Sequence, residues 1–223
     1  LEVPRLIPLA QHRDPLLRMH LATLFGKLKG DSTLVEPLVN LAGFDPDWRV
    51  RVSALRALGA FQPDARVLGT FSAAIAGENE SVVFTALSVF GGYSFPALTP
   101  PRNLPELMER IRSLATGADR GHRWQYRTEA AMALAKIEGE KALPDLRPPS
   151  GGEPLLKAGL IAALGATGAI SALADISPYL EDTDPLLRRT ALEALQSLAA
   201  KNMGKRDFLD TVFAANVAAS IKE

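Results

Sequence analysis

The sequence predicts an all-α protein, an α-solenoid of about six helix pairs plus a partial seventh. Three observations predict it. The phrase Asp-Pro-Leu-Leu-Arg occurs at 14–18 and again at 184–188. Its frame recurs with a zero position at Arg18, Arg51, Val83, Arg127, Lys157 and Arg188, in steps of 33, 32, 44, 30 and 31 residues. A near-constant step in this range marks an array in which each unit buries its apolar face against its neighbours. In every frame the residues at +3, +4 and +7 are apolar and share one face of a 3.6-residue helix.

The units follow in order. The first pairs "VPRLIPLAQ" with a helix capped by Asp14 and opened by Pro15, its core face Leu21, Ala22 and Phe25. Asp and Asn suit the cap because a short acceptor reaches the free N–H groups of the first turn, and proline at the first helical position loses no hydrogen bond. The second pairs "TLVEPLVNLAG" with a helix capped by Asp47, with Ala54, Leu55 and Leu58 as its core. The third pairs "ARVLGTFSAAIAG" with a helix capped by Asn79, with Ala86, Leu87 and Phe90. The fourth joins "LPELMERIRSLATG" to a helix carrying Ala130, Ala131 and Leu134, where Arg123 fills the cap slot poorly. The fifth has only a stunted "EKALPDL" before the helix opened by Pro154, with Leu160, Ile161 and Leu164 inward and Glu153 another poor cap. The sixth pairs "AISALADISPYLED" with the helix of Asp184 and Pro185, with Ala191, Leu192 and Leu195. "KRDFLDTVFAANVAASIKE" starts a seventh unit, with Phe208, Leu209, Val212 and Phe213 as its cap or as a face for a further neighbour.

Two breaks interrupt a single repeat domain spanning 1–223. Prolines 96, 100, 101 and 105 make an irregular loop of about 92–105, and "RPPSGGE" makes a second break at about 147–153. The start "LEVPRLIPLA" has neither an initiator Met nor a basic-then-apolar leader, so the chain reads as a piece of a longer protein, and its compartment stays open. No apolar run reaches the ~20 residues of a membrane span. Lys plus Arg and Asp plus Glu number 25 each, so the whole chain has no bias toward a polyanion, and without cysteine it has neither disulfides nor thiolate ligands.

The second-helix phrase Asp-Pro-x-x-Arg or Asp-x-x-Val-Arg, followed by x-x-Ala-Leu-x-x-Leu, together with a proline in the first helix (Pro8, Pro37, Pro178), resembles HEAT repeats and their bacterial HEAT-like relatives. The resemblance covers nearly the whole chain and implies a protein-binding scaffold. "DWRVRVSALRALG" is further similar to HEAT-like regions of multidomain bacterial cyclophilin-type prolyl isomerases, which implies a substrate-presenting or regulatory arm as the alternative role. No stretch has the alternating strands of the isomerase barrel itself. HEAT-like deoxyhypusine hydroxylases build a di-iron site from His-Glu pairs, and this chain has no His-Glu dipeptide.

The residues themselves argue against catalysis. The three histidines stand in "QHR", "MHL" and "GHR", without the spacing that puts two ligands on one helical face. "FGGY" and "SGGE" lack the pattern of a phosphate loop, so neither a catalytic group, a metal nor a cofactor is expected. "DRGHRWQYR" gathers Arg120, His122, Arg123 and Arg127 around Trp124 and Tyr126, a mixture that suits nucleic acid. One such cluster neutralises few phosphates, which disfavours that partner. The structural alternative is that Arg18, Arg51, Arg127 and Arg188 form a ladder paired with acidic residues of adjacent turns. Second-helix slots +2 (His20, Ser53, Thr85, Glu129, Gly159, Thr190) and +5 (Thr23, Arg56, Ser88, Met132, Ala162, Glu193) are small and mixed, as in a groove for a protein or peptide. Trp48 and Trp124, the only tryptophans, take the −3 slot where three other units carry proline, Pro15, Pro154 and Pro185. With Arg49 and Arg123 beside them, and Arg120 and Tyr126 nearby, they are the candidate partner-binding residues.

Overall fold

The computed structural model describes residues 3–95, 100–117 and 123–202, and every regular element among them is helical. Among the described residues the helices form six successive pairs: α1 (Val3–Leu6) with α2 (Pro15–Lys27), α3 (Val35–Phe44) with α4 (Trp48–Leu58), α5 (Ala65–Ala76) with α6 (Glu80–Phe90), α7 (Leu104–Thr116) with α8 (Trp124–Glu138), α9 (Leu143–Leu146) with α10 (Pro154–Thr167), and α11 (Leu173–Ile176) with α12 (Pro185–Asn202). The expected seventh unit lies outside the described residues. The chain divides into two compact units, residues 1–110 and 111–223. Within 1–110, α2 packs on α4 and α4 on α6, while α3 packs on α5. Within 111–223, α8 packs on α10 and α10 on α12.

The second helices start where their caps place them. Asp14, Asp47 and Asp184 accept the amides of Leu16, Arg49 and Leu186 at 2.9, 2.9 and 2.8 Å, and Asn79 accepts that of Val82 at 3.1 Å. Arg123 and Glu153 make no side-chain cap, as their chemistry predicts. First helices are less regular. Pro8 and Pro178 open short 3-10 segments, Ile7–Gln11 and Ser177–Glu181, because a proline within a helix removes an N–H and crowds the preceding turn. Pro37 stands in the first turn of α3, where no hydrogen bond is lost, and that helix runs unbroken.

The core follows the frame, with one correction. Slots +3, +4 and +7 are buried in the first five units, from Leu21, Ala22 and Phe25 through Leu160, Ile161 and Leu164. In the sixth, Ala191 is buried, but Leu192 is 54% exposed and Leu195 half-buried. Burial of +4 and +7 needs a following unit, and α12 ends the described stack.

The second helices approach closely through a slot the periodicity does not reveal. Gly26, Gly59 and Gly165 all stand at +8. A Cβ there would lie 2.9 Å from Ala57 Cα, 2.7 Å from Val89 Cγ1 and 2.6 Å from Ala194 Cα, in each case the +6 residue of the next second helix. The irregular segment after α6 is in part core: Tyr93 is buried, its hydroxyl donates to Leu58 O at 2.8 Å, and its ring meets Phe71 edge-on at 5.6 Å.

Candidate interaction surface

The zero-slot arginines hold the repeat together, but not in the way an acidic ladder would. Each reaches back along its own turn to main-chain carbonyls where the first helix ends. Arg18 donates to His12 O at 2.6 Å, Arg51 to Asp45 O at 2.6 Å and Arg188 to Asp182 O at 2.7 Å, six residues upstream in every case. Arg127, after a longer connection, donates to Ala115 O and Thr116 O at 3.3 and 3.2 Å. A guanidinium suits this work because the carbonyls ending a helix lack intrahelical partners and carry partial negative charge. Only Arg18 also pairs with an acidic residue across units. It holds Asp45 through two bonds, Nε to Oδ2 at 2.6 Å and Nη2 to Oδ1 at 2.8 Å, with the two side chains 10% and 3% exposed.

Asp45 has a second task, accepting the Asp47 amide at 2.9 Å, as Asp182 accepts that of Asp184 at 2.9 Å. The Arg18–Asp45 pair forms the floor of a cleft of about 550 Å³ whose rim includes Arg13, Asn40 and Phe44. In 111–223 a comparable lock is Arg112, bonded to Glu138 at 2.7 Å and Asp145 at 2.9 Å, which ties α7, α8 and α9. Among the described residues no group of three or more His, Asp and Glu side chains could hold a metal ion. None of the described helices is long and apolar enough to cross a membrane.

The large apolar side chains left exposed are concentrated on one set of helices. Of eight large exposed apolar side chains among the described residues, six belong to second helices: Leu16, Trp48, Phe84, Leu155, Leu186 and Leu192. Four of these, Leu16, Trp48, Leu155 and Leu186, stand in the first turn. That turn also contributes to the core, since Val50, Leu156 and Leu187, one residue before the zero slot, are buried, so the exposed side chains stand on its outer side. Trp48 is 43% exposed, and Arg49 beside it is bound through two nitrogens to Asp47 at 3.0 and 2.6 Å. The Arg49 guanidinium and amide hold the Asp47 carboxyl down to about 2.

The fourth-unit candidates divide. Trp124 opens α8 and is half-buried, while Arg123 is exposed with its guanidinium 5.7 Å from the Tyr126 ring centroid. Tyr126 itself is 4% exposed, so its ring is part of the packing and offers no free stacking face. Arg120 lies outside the described residues. The +2 row is also less open than its letters imply: Thr85 and Thr190 are buried, and the Thr190 hydroxyl donates to Leu186 O at 2.9 Å. His20, Thr23, Arg56, Ser88 and Glu193 are exposed.

Residues 3–91 match the family model of HEAT repeats. Among solved structures, an engineered protein aligns over 90% of this chain and 98% of its own at 17% identity, with a TM-score of 0.52. A computationally designed armadillo repeat protein for modular peptide recognition aligns over 88% and 99% at 14% identity, TM-score 0.50. A designed armadillo repeat protein in complex with the peptide (KR)4 aligns over 89% and 100% at 12% identity, TM-score 0.51. At such identities the likeness concerns the fold alone. Human deoxyhypusine hydroxylase, with 20% identity over 89% of this chain and 84% of its own, reaches a TM-score of only 0.37, which carries no argument. No curated protein matches the chain.

Proposed function

From an all-helical array whose residues 3–91 match the family model of HEAT repeats, we propose a noncatalytic scaffold that binds a protein or peptide partner along its second helices. One observation carries this reading: the large apolar side chains left exposed gather on second helices, with four in the first turn. Exposed aromatic and aliphatic side chains in series, rimmed by polar groups, are the usual anchors of an interface. A designed repeat protein of similar fold holds a peptide, which supports the same use of the fold here. The polar groups best placed for chemistry, Arg18, Asp45 and Arg112, are engaged in locking helices to one another.

Trp48 and Trp124 are the proposed anchors, each within its own unit, with Arg49 and Arg123 as polar neighbours; Arg120 belongs to the same proposal. A peptide array probed with the intact chain tests it. Trp48→Ala should weaken the captured peptides by roughly 2 kcal/mol, about thirtyfold, with the thermal melt little changed. A melt lowered sharply at unchanged binding per folded molecule would make the tryptophan a packing residue and refute the anchor role.

A further inference from the structure

The second helices of residues 1–110 carry far more positive than negative charge. Helices α2 and α4 contain no acidic residue, and α6 has one, Glu80, at its first position. Against this stand Arg18, Lys27, Arg49, Arg51 and Arg56 on α2 and α4. Three of them have employment: Arg18 on Asp45, Arg51 on main-chain carbonyls, Arg49 on Asp47. The N-cap Asp47 is thereby neutralised, and Asp14 is directed to the Leu16 amide. Lys27 and Arg56 are exposed, and neither has a hydrogen-bond or ion-pair partner among the described residues.

Arg56 lies on a helix that packs against one carrying an exposed ring. Its counterpart at +5 on the next second helix is Ser88, exposed, and Phe84 lies one turn before Ser88 on the same face of α6. Phe84 is 46% exposed. Since α4 packs directly on α6, the free guanidinium and the ring belong to neighbouring helices of one surface. The hydroxyls of Ser53 and Ser88 and the small Thr23 leave room around them.

We propose that this face takes an acidic peptide segment in polyproline-II form, with a carboxylate on Arg56 and an apolar side chain three residues away on Phe84. The inference rests on the scaffold reading above and specifies its partner. The spacing follows from two lengths: neighbouring helices lie ~10 Å apart, and a polyproline-II segment, with three residues per turn, advances ~3.1 Å per residue, so two side chains three residues apart share one side of the peptide and reach from one helix to the next. The sign follows from the charges: a basic peptide would meet unpaired cations with no acid on α2 or α4 to receive it.

Fluorescence anisotropy on the intact chain at physiological ionic strength decides it, with three labelled peptides of equal length built on Glu-Ser-Ser-Leu, Gln-Ser-Ser-Leu and Lys-Ser-Ser-Leu units. The acidic peptide should bind about tenfold more tightly than the glutamine peptide, and the lysine peptide most weakly, the margin expected of a charge-assisted contact. Arg56→Glu should abolish the acidic preference and Arg56→Lys retain most of it. Phe84→Ser should weaken the acidic and glutamine peptides alike. Equal binding of those two peptides overturns the charge inference and leaves the scaffold reading standing, as does tighter binding of the lysine peptide. Absence of binding by all three rejects both. Tighter binding of a short oligothymidylate than of the acidic peptide, lost in Arg56→Glu, would assign the cations to nucleic acid and overturn the proposal.

Discussion

Arg18 and Arg188 end the same five-letter phrase, yet their removal should have unequal consequences. Arg18→Ala deletes two bonds to Asp45 and one to His12 O. Asp45, with its side chain 3% exposed, then keeps only the Asp47 amide as a donor among the described residues. Removing one member of a buried, hydrogen-bonded ion pair costs about 3 kcal/mol, because the remaining charge stays desolvated. Arg188→Ala frees two carbonyls, Asp182 O and Thr183 O, beside an exposed side chain that water can replace, and should cost about 1 kcal/mol or less. With a urea m-value of about 2 kcal/mol/M, the first unfolding midpoint should fall by about 1.5 M for Arg18→Ala and by about 0.5 M or less for Arg188→Ala. Circular dichroism at 222 nm reads both. A double cycle with Asp45→Ala should give a coupling of about 2 kcal/mol. Equal midpoint shifts for the two arginines, or additive Arg18 and Asp45 effects, would refute the argument.

Gly165→Val places branched carbons where Cβ alone is 2.6 Å from Ala194 Cα, so thermal melts should show a loss of about 2 kcal/mol, whereas Gly43→Ala, with nothing within 4 Å in a helix, should gain about 0.7 kcal/mol. Acid should also act on 1–110. Asp47 is held at about 2 by hydrogen bonds from Arg49, and Asp64 lies below its usual value through the Val67 amide and Arg66 overcoming desolvation. Carboxyls lowered on folding stabilise the fold above their unfolded value near 3.9 and lose that effect as pH falls toward 2. The melting temperature of the wild type should therefore drop between pH 4 and pH 2, with a smaller drop for Asp47→Asn.

The second helices were legible because each of their signals is carried by a side chain: Asp14, Asp47, Asn79 and Asp184 as caps, and the +3, +4 and +7 residues as core. The first helices were less so, since Pro8 and Pro178 turn parts of them into 3-10 segments while Pro37, one slot type in the sequence, is harmless in its first turn. The arginine slot was visible but its acceptors were not, because main-chain carbonyls at a helix end have no letter of their own. Tyr93 was hidden in a proline-rich stretch that reads as surface loop, although its hydroxyl and ring close the end of the third pair. The +8 glycines give no signal in the hydrophobic period; only packing shows that they admit the next helix. Of the candidate site, Trp48 was legible as an odd residue in a proline slot, whereas burial of Tyr126, Thr85 and Thr190 depends on neighbouring helices that periodicity alone does not position.

The central claim is that partners bind along the second helices. Hydrogen exchange of the intact chain, with and without the tightest peptide from the array, tests it most directly. Protection should appear in the exposed faces and first turns of α2, α4 and α6, with α3 and α5 unchanged. Protection confined to α3 and α5, with the second helices unaffected, would contradict the account.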